Sequence, residues 1–254
     1  MKVYRRGEGE PELTVVGSVH GDEPAGKKAI ENFLEEEHDF QRPVQFIIAN
    51  EEALEEDVRY IDTDMNRSFP GDADSDSHEE RLAAEITDLV KETLVLDIHT
   101  THSYPRPFAT FTRLNDTTRG LLKDVGAEYA VHFPGETGTL HEQTDGVVIE
   151  TGYQGSEEAV ENAEKTIENF LKAQDALEGE SEPCEPEIFR YYETVEGDWN
   201  FKAENFQKVE TGQVYAVNGE EKLEASEEFY PVLMSTNGYD GQLGFKARKI
   251  EELD

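Results

Sequence analysis

Positive charge is scarce in this sequence of 254 residues. Lysine and arginine together number 23 against 58 aspartates and glutamates, which gives a formal net charge of −35 and an isoelectric point near 4.4. Nucleic acids and anionic membranes are bound through clustered Lys and Arg side chains, and a strongly acidic surface repels them. The charge balance therefore excludes nucleic acid and membrane surfaces as expected direct partners.

Cysteine and long apolar runs are also nearly missing. The single cysteine, Cys184, excludes an intramolecular disulfide, and its polar, proline-containing surroundings do not suggest a catalytic thiol. No run approaches the roughly 18 apolar residues of a transmembrane helix. Residues 1–8 lack the apolar stretch of a signal peptide. We therefore expect a cytoplasmic protein.

Hydrophobic residues make up only 36% of the chain. Low hydrophobicity with high net charge is typical of disorder, but here the apolar residues cluster in runs at 13–16, 44–48 and 94–98 that can build a core. The acidic residues are spread along the whole chain. We interpret this as adaptation to a cytoplasm at molar salt, where a Debye length of about 3 Å screens the self-repulsion. An ordinary acidic protein at moderate salt is the alternative.

Short β-branched runs alternate with amphipathic segments over the first part of the chain. The pattern predicts strands at 13–19, 44–49, 94–98, 107–112, 128–133 and 146–150, and helices at 24–37, 79–91, 116–125 and 156–171. This alternation is typical of an α/β fold with a mostly parallel sheet and flanking helices.

The composition changes after this region. We predict a first domain over residues 1–175, an acidic linker over 176–187 and a small β-rich domain over 188–254 that packs on the first. The last segment has strand-like pieces at 188–194, 208–217, 229–235 and 243–248, with a turn signal at Asn218-Gly219.

Two segments suggest a metal site at strand ends. His20 and Glu23 follow the first predicted strand with two residues between them, and His99 follows the strand at 94–98. Catalytic zinc takes three such protein ligands and keeps a fourth position open. Asp97 could accept a hydrogen bond from His99. Taken singly, a pair such as His20 and Glu23 is more often a surface pair, and a histidine such as His99 is more often a hydrogen-bonded strand-end residue. Their occurrence together at strand ends favours a metal site.

A loop with two arginines suggests an anion site. Arg59, Asn66 and Arg67 lie in a segment that ends in Pro-Gly. Guanidinium groups match carboxylates bidentately, and asparagine adds a neutral donor. The alternative is loop charge paired with Asp62 and Asp64.

An apolar strand ends at Glu150, which is a candidate general base beside a metal. Taken in isolation, Glu150 would be interpreted as an exposed acid at a strand end.

In this order, the segments resemble the succinylglutamate desuccinylase/aspartoacylase family, whose members are zinc enzymes of the carboxypeptidase A-like superfamily. The matching motifs are G-x-x-H-G-x-E, R-Y-I-D-x-D-x-N-R, D-x-H and I-E-x-G. The resemblance implies a zinc carboxypeptidase-like fold with a small β-rich C-terminal domain. It also implies one zinc ion per chain with His20, Glu23 and His99 as ligands, Glu150 as the acid that activates water, and Arg59 as the group that polarises the carbonyl.

The resemblance further implies how a substrate is held. Asn66 and Arg67 match the pair that grips the α-carboxylate of the amino-acid half, and Tyr239 matches a tyrosine that helps hold it. Aspartoacylase-like members carry an arginine for an acidic side chain about ten residues before the glutamate; this sequence has Leu140 there and His141 next to it. His141 could replace the arginine only partly, so the sequence does not predict specificity for an acidic side chain and leaves a neutral or differently shaped one as an alternative.

These motifs predict a zinc-dependent hydrolase of small N-acyl amino acids with a free carboxylate. One alternative is a zinc metallocarboxypeptidase that removes a C-terminal residue from small peptides with the same metal and carboxylate clamp. Another is a non-catalytic protein of the same fold that binds metal or solute. A homo-oligomer is compatible with the sequence.

Overall fold

One large sheet organises the protein. The computed structural model describes residues 1–238 and 241–250. The elements are β1 (Lys2–Arg6), β2 (Leu13–Gly17), α1 (Ala25–Glu35), β3 (Val44–Ile48), α2 (Glu51–Glu56), α3 (His78–Val90), β4 (Leu94–Thr101), β5 (Phe108–Phe111), α4 (Asp116–Asp124), β6 (Tyr129–His132), β7 (Gly146–Tyr153), α5 (Glu157–Ala173), β8 (Glu187–Glu196), β9 (Asn200–Phe201), β10 (Val214–Asn218), β11 (Glu221–Glu224), β12 (Tyr230–Val232) and β13 (Gln242–Ile250).

The strands of the large sheet lie in the order β1-β3-β2-β4-β7-β5-β6-β8-β13-β12. Its central strands β3, β2, β4 and β7 are parallel, whereas β5 is antiparallel to β7 and β1 lies antiparallel at one edge. Parallel neighbours need crossovers, and helices supply them here. This arrangement confirms the predicted α/β class with a mostly parallel mixed sheet.

Helices cover both faces of this sheet. On one face, α1 packs on β2, β3 and β4, whereas α5 packs on β4 and β7 and α4 packs on β7. Phe33, Phe46 and Phe170 lie in the same buried cluster on this face. On the other face, Ile86 and Val90 of α3 pack against strand residues of a second cluster. Burying a large apolar side chain stabilises the fold by about 2 kcal/mol, so these short apolar runs can hold a chain of high net charge.

Most predicted elements of the first part lie where the pattern placed them, with ends shifted by a few residues. The sequence pattern missed β1, α2 and two short 3-10 helices at Met65–Arg67 and Leu140–Glu142. These elements are short and mostly polar, so they carry little periodicity. Strands β4 and β7 extend beyond their predicted ends, to Thr101 and Tyr153.

The strands after residue 186 extend the same sheet. β8 pairs in parallel with β6, and β13 pairs antiparallel with β8, so the sheet is continuous from the first part of the chain to the last. Strands β9, β10 and β11 form a separate small sheet, with Asn218 and Gly219 at the predicted turn between β10 and β11. The predicted domain boundaries, 1–175, 176–187 and 188–254, describe which parts of the chain fold independently, and they stay a prediction.

Among residues 1–238 and 241–250, no helix combines the length and the apolar composition that crossing a membrane requires.

A close contact between β2 and α1 gives a test of this packing. A Cβ atom on Gly26 of α1 would lie 2.8 Å from the Cα atom of Gly17 in β2, whereas a Cβ atom on Gly120 of α4 would meet nothing within 4 Å. We expect Gly26→Ala to lower the free energy of unfolding by about 2 kcal/mol or more, because the helix must move off the sheet. Gly120→Ala should raise it by about 0.5–1 kcal/mol.

Denaturant unfolding at one fixed salt concentration measures both glycine variants. Gly26→Ala and Gly120→Ala each add one methyl group to a helix. An equal change in the free energy of unfolding would show that the close approach of Gly26 to β2 does not limit stability.

Candidate active site

Two neighbouring parallel strands bring three predicted ligands to one edge of the sheet. β2 ends at Gly17, which lies opposite Ile98 of β4. His20 and Glu23 follow β2 directly, and His99 follows Ile98. Sites in open α/β sheets form outside the carboxyl ends of strands. The sheet register therefore places all three side chains at the same end.

The turn after β2 is held by local contacts. Ser18 has a positive φ of 56°, and its Oγ donates to the carbonyl oxygen of Glu23 over 3.0 Å and accepts from the backbone N–H of Lys27 over 3.1 Å. A Cβ atom on Gly21 would lie 2.1 Å from the backbone of Ala53. Glycine is therefore required where this turn packs against α2.

His20, Glu23 and His99 form a buried cluster whose ligand atoms all lie within 4.8 Å of one another. Glu23 Oε1 is 2.9 Å from His20 Nδ1, and Glu23 Oε2 is 3.3 Å from His99 Nδ1. All three residues are at most 5% exposed. Two imidazoles and one carboxylate are a donor set of catalytic zinc, so the residues present fit that ion.

Groups around this cluster orient its members. His99 Nε2 lies 3.2 Å from Asp97 Oδ2, and the backbone N–H of Thr100 donates to Glu23 Oε2 over 2.8 Å. Burial alone would raise the pKa of Glu23, but the charges of His99 and His20 outweigh it and hold that pKa well below its ordinary value. The Glu23 carboxylate therefore stays ionised.

Arg59 reaches the cluster from the loop that follows α2. Its Nη1 lies 3.3 Å from Glu23 Oε1, and its Nε and Nη2 donate to Asp64 Oδ2 over 3.2 Å. Asp64 Oδ1 lies 3.2 Å from His20 Nε2. Burial alone would raise the pKa of Asp64, but His20 and Arg59 hold it below its ordinary value. Asp64 thus bridges Arg59 and His20. The ion pair with Arg59 is the alternative that the sequence offered for this loop, whereas the contact with His20 was not predicted.

Asn66 and Arg67 lie on the 3-10 helix Met65–Arg67, which Asp64 caps by accepting from the Asn66 N–H. Both side chains line the same cavity as the His20–Glu23–His99 cluster. Arg67 is exposed, and its Nη2 lies 3.1 Å from Oε1 of Glu136, a partner that sequence reasoning missed. The structure therefore brings Asn66 and Arg67 to the rim of the predicted metal site.

Glu150 lies on β7 directly opposite His99 of β4. Its Oε2 is buried and has no hydrogen-bond partner among the described residues. Burial raises the pKa of Glu150 to about 8, with the nearby carboxylate of Glu23 adding to the effect and the charges of His99 and Arg59 opposing it. Glu150 also lines a cavity. A carboxyl group with an unpartnered oxygen beside a cavity can exchange a proton with a bound molecule.

The cavity that joins these groups has a volume of about 280 Å³. Part of its lining is apolar and is here called the apolar wall: Phe111, Phe133, Val148, Leu233 and Phe245. Strands from both parts of the chain contribute to this wall, since Phe245 and Gln242 belong to β13. A cavity of this size holds a small molecule.

The position that carries an arginine in aspartoacylase-like relatives differs here. Leu140 is fully buried in the second apolar cluster, and the neighbouring His141 lines the cavity instead. Burial lowers the pKa of His141 to about 4, so its imidazole is neutral. Tyr239, the predicted partner of the substrate carboxylate, lies outside the residues that the structure describes.

Comparison with known proteins decides the family. The model of the succinylglutamate desuccinylase/aspartoacylase catalytic domain matches residues 10–174, which include all the motifs above. The chain belongs to this family. Its catalytic-domain match ends near the C-terminus of α5, and the strands from β8 onward follow it.

Two relatives in the family are similar over a limited region. The N-acyl-aromatic-L-amino acid amidohydrolase of Xenopus tropicalis is 34% identical over 106 residues, 36% of this chain and 34% of that protein. A probable aspartoacylase of Acaryochloris marina is 32% identical over 103 residues, 35% of each chain. The matched region thus spans about a third of these relatives.

Solved structures show the same fold over nearly the whole chain. A succinylglutamate desuccinylase/aspartoacylase of Rhodobacter sphaeroides superposes with a TM-score of 0.80 at 21% identity, covering 98% of this chain and 89% of that one. The product-bound ectoine utilization protein EutE of Ruegeria pomeroyi superposes with a TM-score of 0.78 at 20% identity, covering 96% and 87%. These likenesses include β8 to β13, so the C-terminal strands belong to the shared fold.

We expect the protein to bind one zinc ion per chain through the buried cluster. Glu23→Gln and His99→Ala should each weaken zinc binding more than about 100-fold. Each change removes one of three protein ligands, and a water molecule in its place would bind zinc less tightly. His102→Ala is the matched control, since His102 is exposed three residues from His99.

Zinc content after gel filtration and competition with a chromophoric chelator measure the affinity of these variants. Wild-type affinity in both ligand variants would place the metal elsewhere.

Proposed function

We propose that this protein hydrolyses the amide bond of a small N-acyl amino acid with the help of one zinc ion. Membership of the succinylglutamate desuccinylase/aspartoacylase family and the similarity to an N-acyl-aromatic-L-amino acid amidohydrolase support the reaction class. The observation that carries the proposal is Glu150 opposite His99, with its Oε2 unpartnered among residues 1–238 and 241–250, in a cavity shared with a buried donor set and Arg59. A base, a metal-ligand set and a cation around one cavity suit attack of water on a carbonyl.

The chemistry that zinc supplies at such a donor set is Lewis acidity toward the carbonyl oxygen and the attacking water. Glu150 then accepts a proton from that water and later delivers it to the departing amine. The burial that raises the pKa of Glu150 favours its protonated form, which is the form that delivers a proton to the departing amine. Arg59 stabilises the negative charge that develops on the carbonyl oxygen.

Asn66 and Arg67 anchor the α-carboxylate of the substrate in this proposal. Arg67 offers a planar pair of donors at the cavity rim, and Asn66 adds a neutral donor beside it. Glu136 forms an ion pair with Arg67, so a bound substrate carboxylate and Glu136 would both contact the Arg67 guanidinium. Tyr239 is proposed to assist at the same carboxylate.

A neutral side chain on the amino acid fits the cavity best. Among the described residues that line it, the charged groups other than histidine are the acids Glu23, Asp64, Glu136 and Glu150 and the bases Arg59 and Arg67. In this proposal Arg59 acts on the carbonyl oxygen and Arg67 on the α-carboxylate, so no further arginine or lysine among the described lining residues can bind a second substrate carboxylate. The apolar wall suits an uncharged side chain, in keeping with the N-acyl-aromatic amino acids named for the Xenopus relative.

The Glu150→Gln variant tests the reaction. We expect kcat to fall about 10²- to 10⁴-fold with the bound zinc retained, because the amide cannot accept a proton. Glu161→Gln on the exposed face of α5 is the control, since it makes the same glutamate-to-glutamine change away from the cavity. A protein that only binds metal or solute would show no such difference.

A substrate screen distinguishes the deacylase from the peptidase. N-acetyl, N-succinyl and N-formyl derivatives of neutral and acidic amino acids are assayed at molar KCl with zinc, beside dipeptides. We expect turnover of neutral N-acyl amino acids above the acidic ones. Turnover of dipeptides alone would favour a metallocarboxypeptidase instead.

The net charge of −35 gives a kinetic prediction, since we also propose that the protein is adapted to high salt. Long-range repulsion of a carboxylate substrate acts over a Debye length of about 10 Å at 0.1 M salt but only about 3 Å at 1 M. We therefore expect KM to rise as salt is lowered, before the protein unfolds. Circular dichroism defines the folded range, and a KM independent of salt within it would contradict the expectation.

A further inference from the structure

Glu79 is a buried acid at the start of α3, where an exposed acid would stabilise the helix equally well. It lies in the first turn of α3 and is 0% exposed. Acids in a first turn stabilise a helix through its dipole, but Glu80 already stands in the same turn. A fully buried carboxylate is costly unless hydrogen bonds compensate it. The burial of Glu79 is therefore not explained by stabilisation of α3 alone.

The carboxylate of Glu79 binds three consecutive backbone N–H groups of the loop that follows Arg59. Oε1 accepts from the N–H of Ile61 over 2.7 Å, and Oε2 accepts from the N–H groups of Asp62 over 2.9 Å and Thr63 over 3.2 Å. These bonds fix the backbone immediately before Asp64. Burial alone would raise the pKa of Glu79, but the same hydrogen bonds hold it below its ordinary value.

Asn50 and His78 complete the attachment. The side chain of Asn50, also 0% exposed, donates to Glu79 Oε1 over 3.0 Å, and its oxygen lies 3.1 Å from His78 Nε2. In return, the N–H of His78 donates to Asp62 Oδ2 over 2.7 Å. The loop and the N-terminus of α3 therefore hold each other through contacts in both directions.

We infer that Glu79 is a positioning residue for the reaction, because it fixes the loop that presents Arg59 and Asp64 to the His20–Glu23–His99 cluster. The inference rests on the proposed function for its effect on catalysis. Arg59 and Asp64 flank the three bound N–H groups and contact Glu23 and His20. The Glu79 carboxylate thus acts on the cavity through the loop backbone without lining the cavity itself.

The test replaces Glu79 by glutamine. The glutamine has nearly the same shape, but its NH₂ group faces N–H donors where an oxygen accepted before, so at least one backbone N–H loses its partner. Glu85→Gln is the control, since Glu85 is exposed on the same helix and loses the same charge. If E79Q does not fold, Glu79→Asp, which keeps the charge but shortens the reach, is assayed in the same way.

Two measurements are made on the folded variants. Amide hydrogen exchange reports on Ile61, Asp62 and Thr63, and steady-state kinetics reports on the reaction. We expect exchange at these amides to become at least about 10-fold faster and kcat/KM to fall about 10- to 100-fold, since a small displacement of an aligned group has that cost. Zinc content should stay at the wild-type value, and Glu85→Gln should resemble the wild type in every respect.

The outcomes separate this inference from the proposed function. Unchanged exchange at residues 61–63 in folded E79Q, or faster exchange with an unchanged kcat/KM, would overturn the positioning role. A lower melting temperature with wild-type kcat/KM would reduce Glu79 to a structural residue and overturn it as well. If the wild type hydrolyses no N-acyl amino acid, the proposed function fails, while faster loop exchange in E79Q still supports the role of Glu79 in holding the loop.

Discussion

The parallel pairing of β2, β4 and β7 is the constraint on which the candidate site depends. Parallel strands end at the same edge, so His20 and Glu23 after β2, His99 on β4 and Glu150 on β7 meet although up to 130 positions separate them. The register matters as much as the order, because a slip by one residue would turn these side chains to the opposite face. The buried apolar clusters on both faces hold that register.

Charge compensation explains the surroundings of this site. The carboxylate of Glu23 lies between two imidazoles and a guanidinium, and Asp64 joins His20 to Arg59. In a chain with 58 acids and 23 bases, such contacts use scarce positive charge at the cavity. Breaking one partner of a buried charged pair leaves the other uncompensated, which is costly. The loop that carries Arg59 and Asp64 therefore needs a fixed backbone, and Glu79 with Asn50 supplies it.

The sequence allowed the α/β class and the long elements to be predicted, because α1, α3, α5 and the central strands carry strong hydrophobic periodicity. The family could be recognised from four short motifs, and the catalytic-domain match confirms it. The short polar elements β1 and α2 were missed because their place depends on pairing and capping, which periodicity does not report. Glu79, Glu136 and the bridge made by Asp64 were missed for a related reason: each acts on a residue brought near by the fold.

By itself, the sequence determined which chemistry is present: two histidines and a glutamate at strand ends, a glutamate after an apolar strand, and two arginines in one loop. Local patterns suffice for this, since residue type and spacing along the chain are visible without coordinates. Only the tertiary structure decided which groups share a cavity, that Leu140 turns into the core while His141 lines the cavity, and that β13 contributes Phe245 to the same cavity. Those facts depend on long-range strand pairing and packing, whose energies arise between residues far apart in the chain.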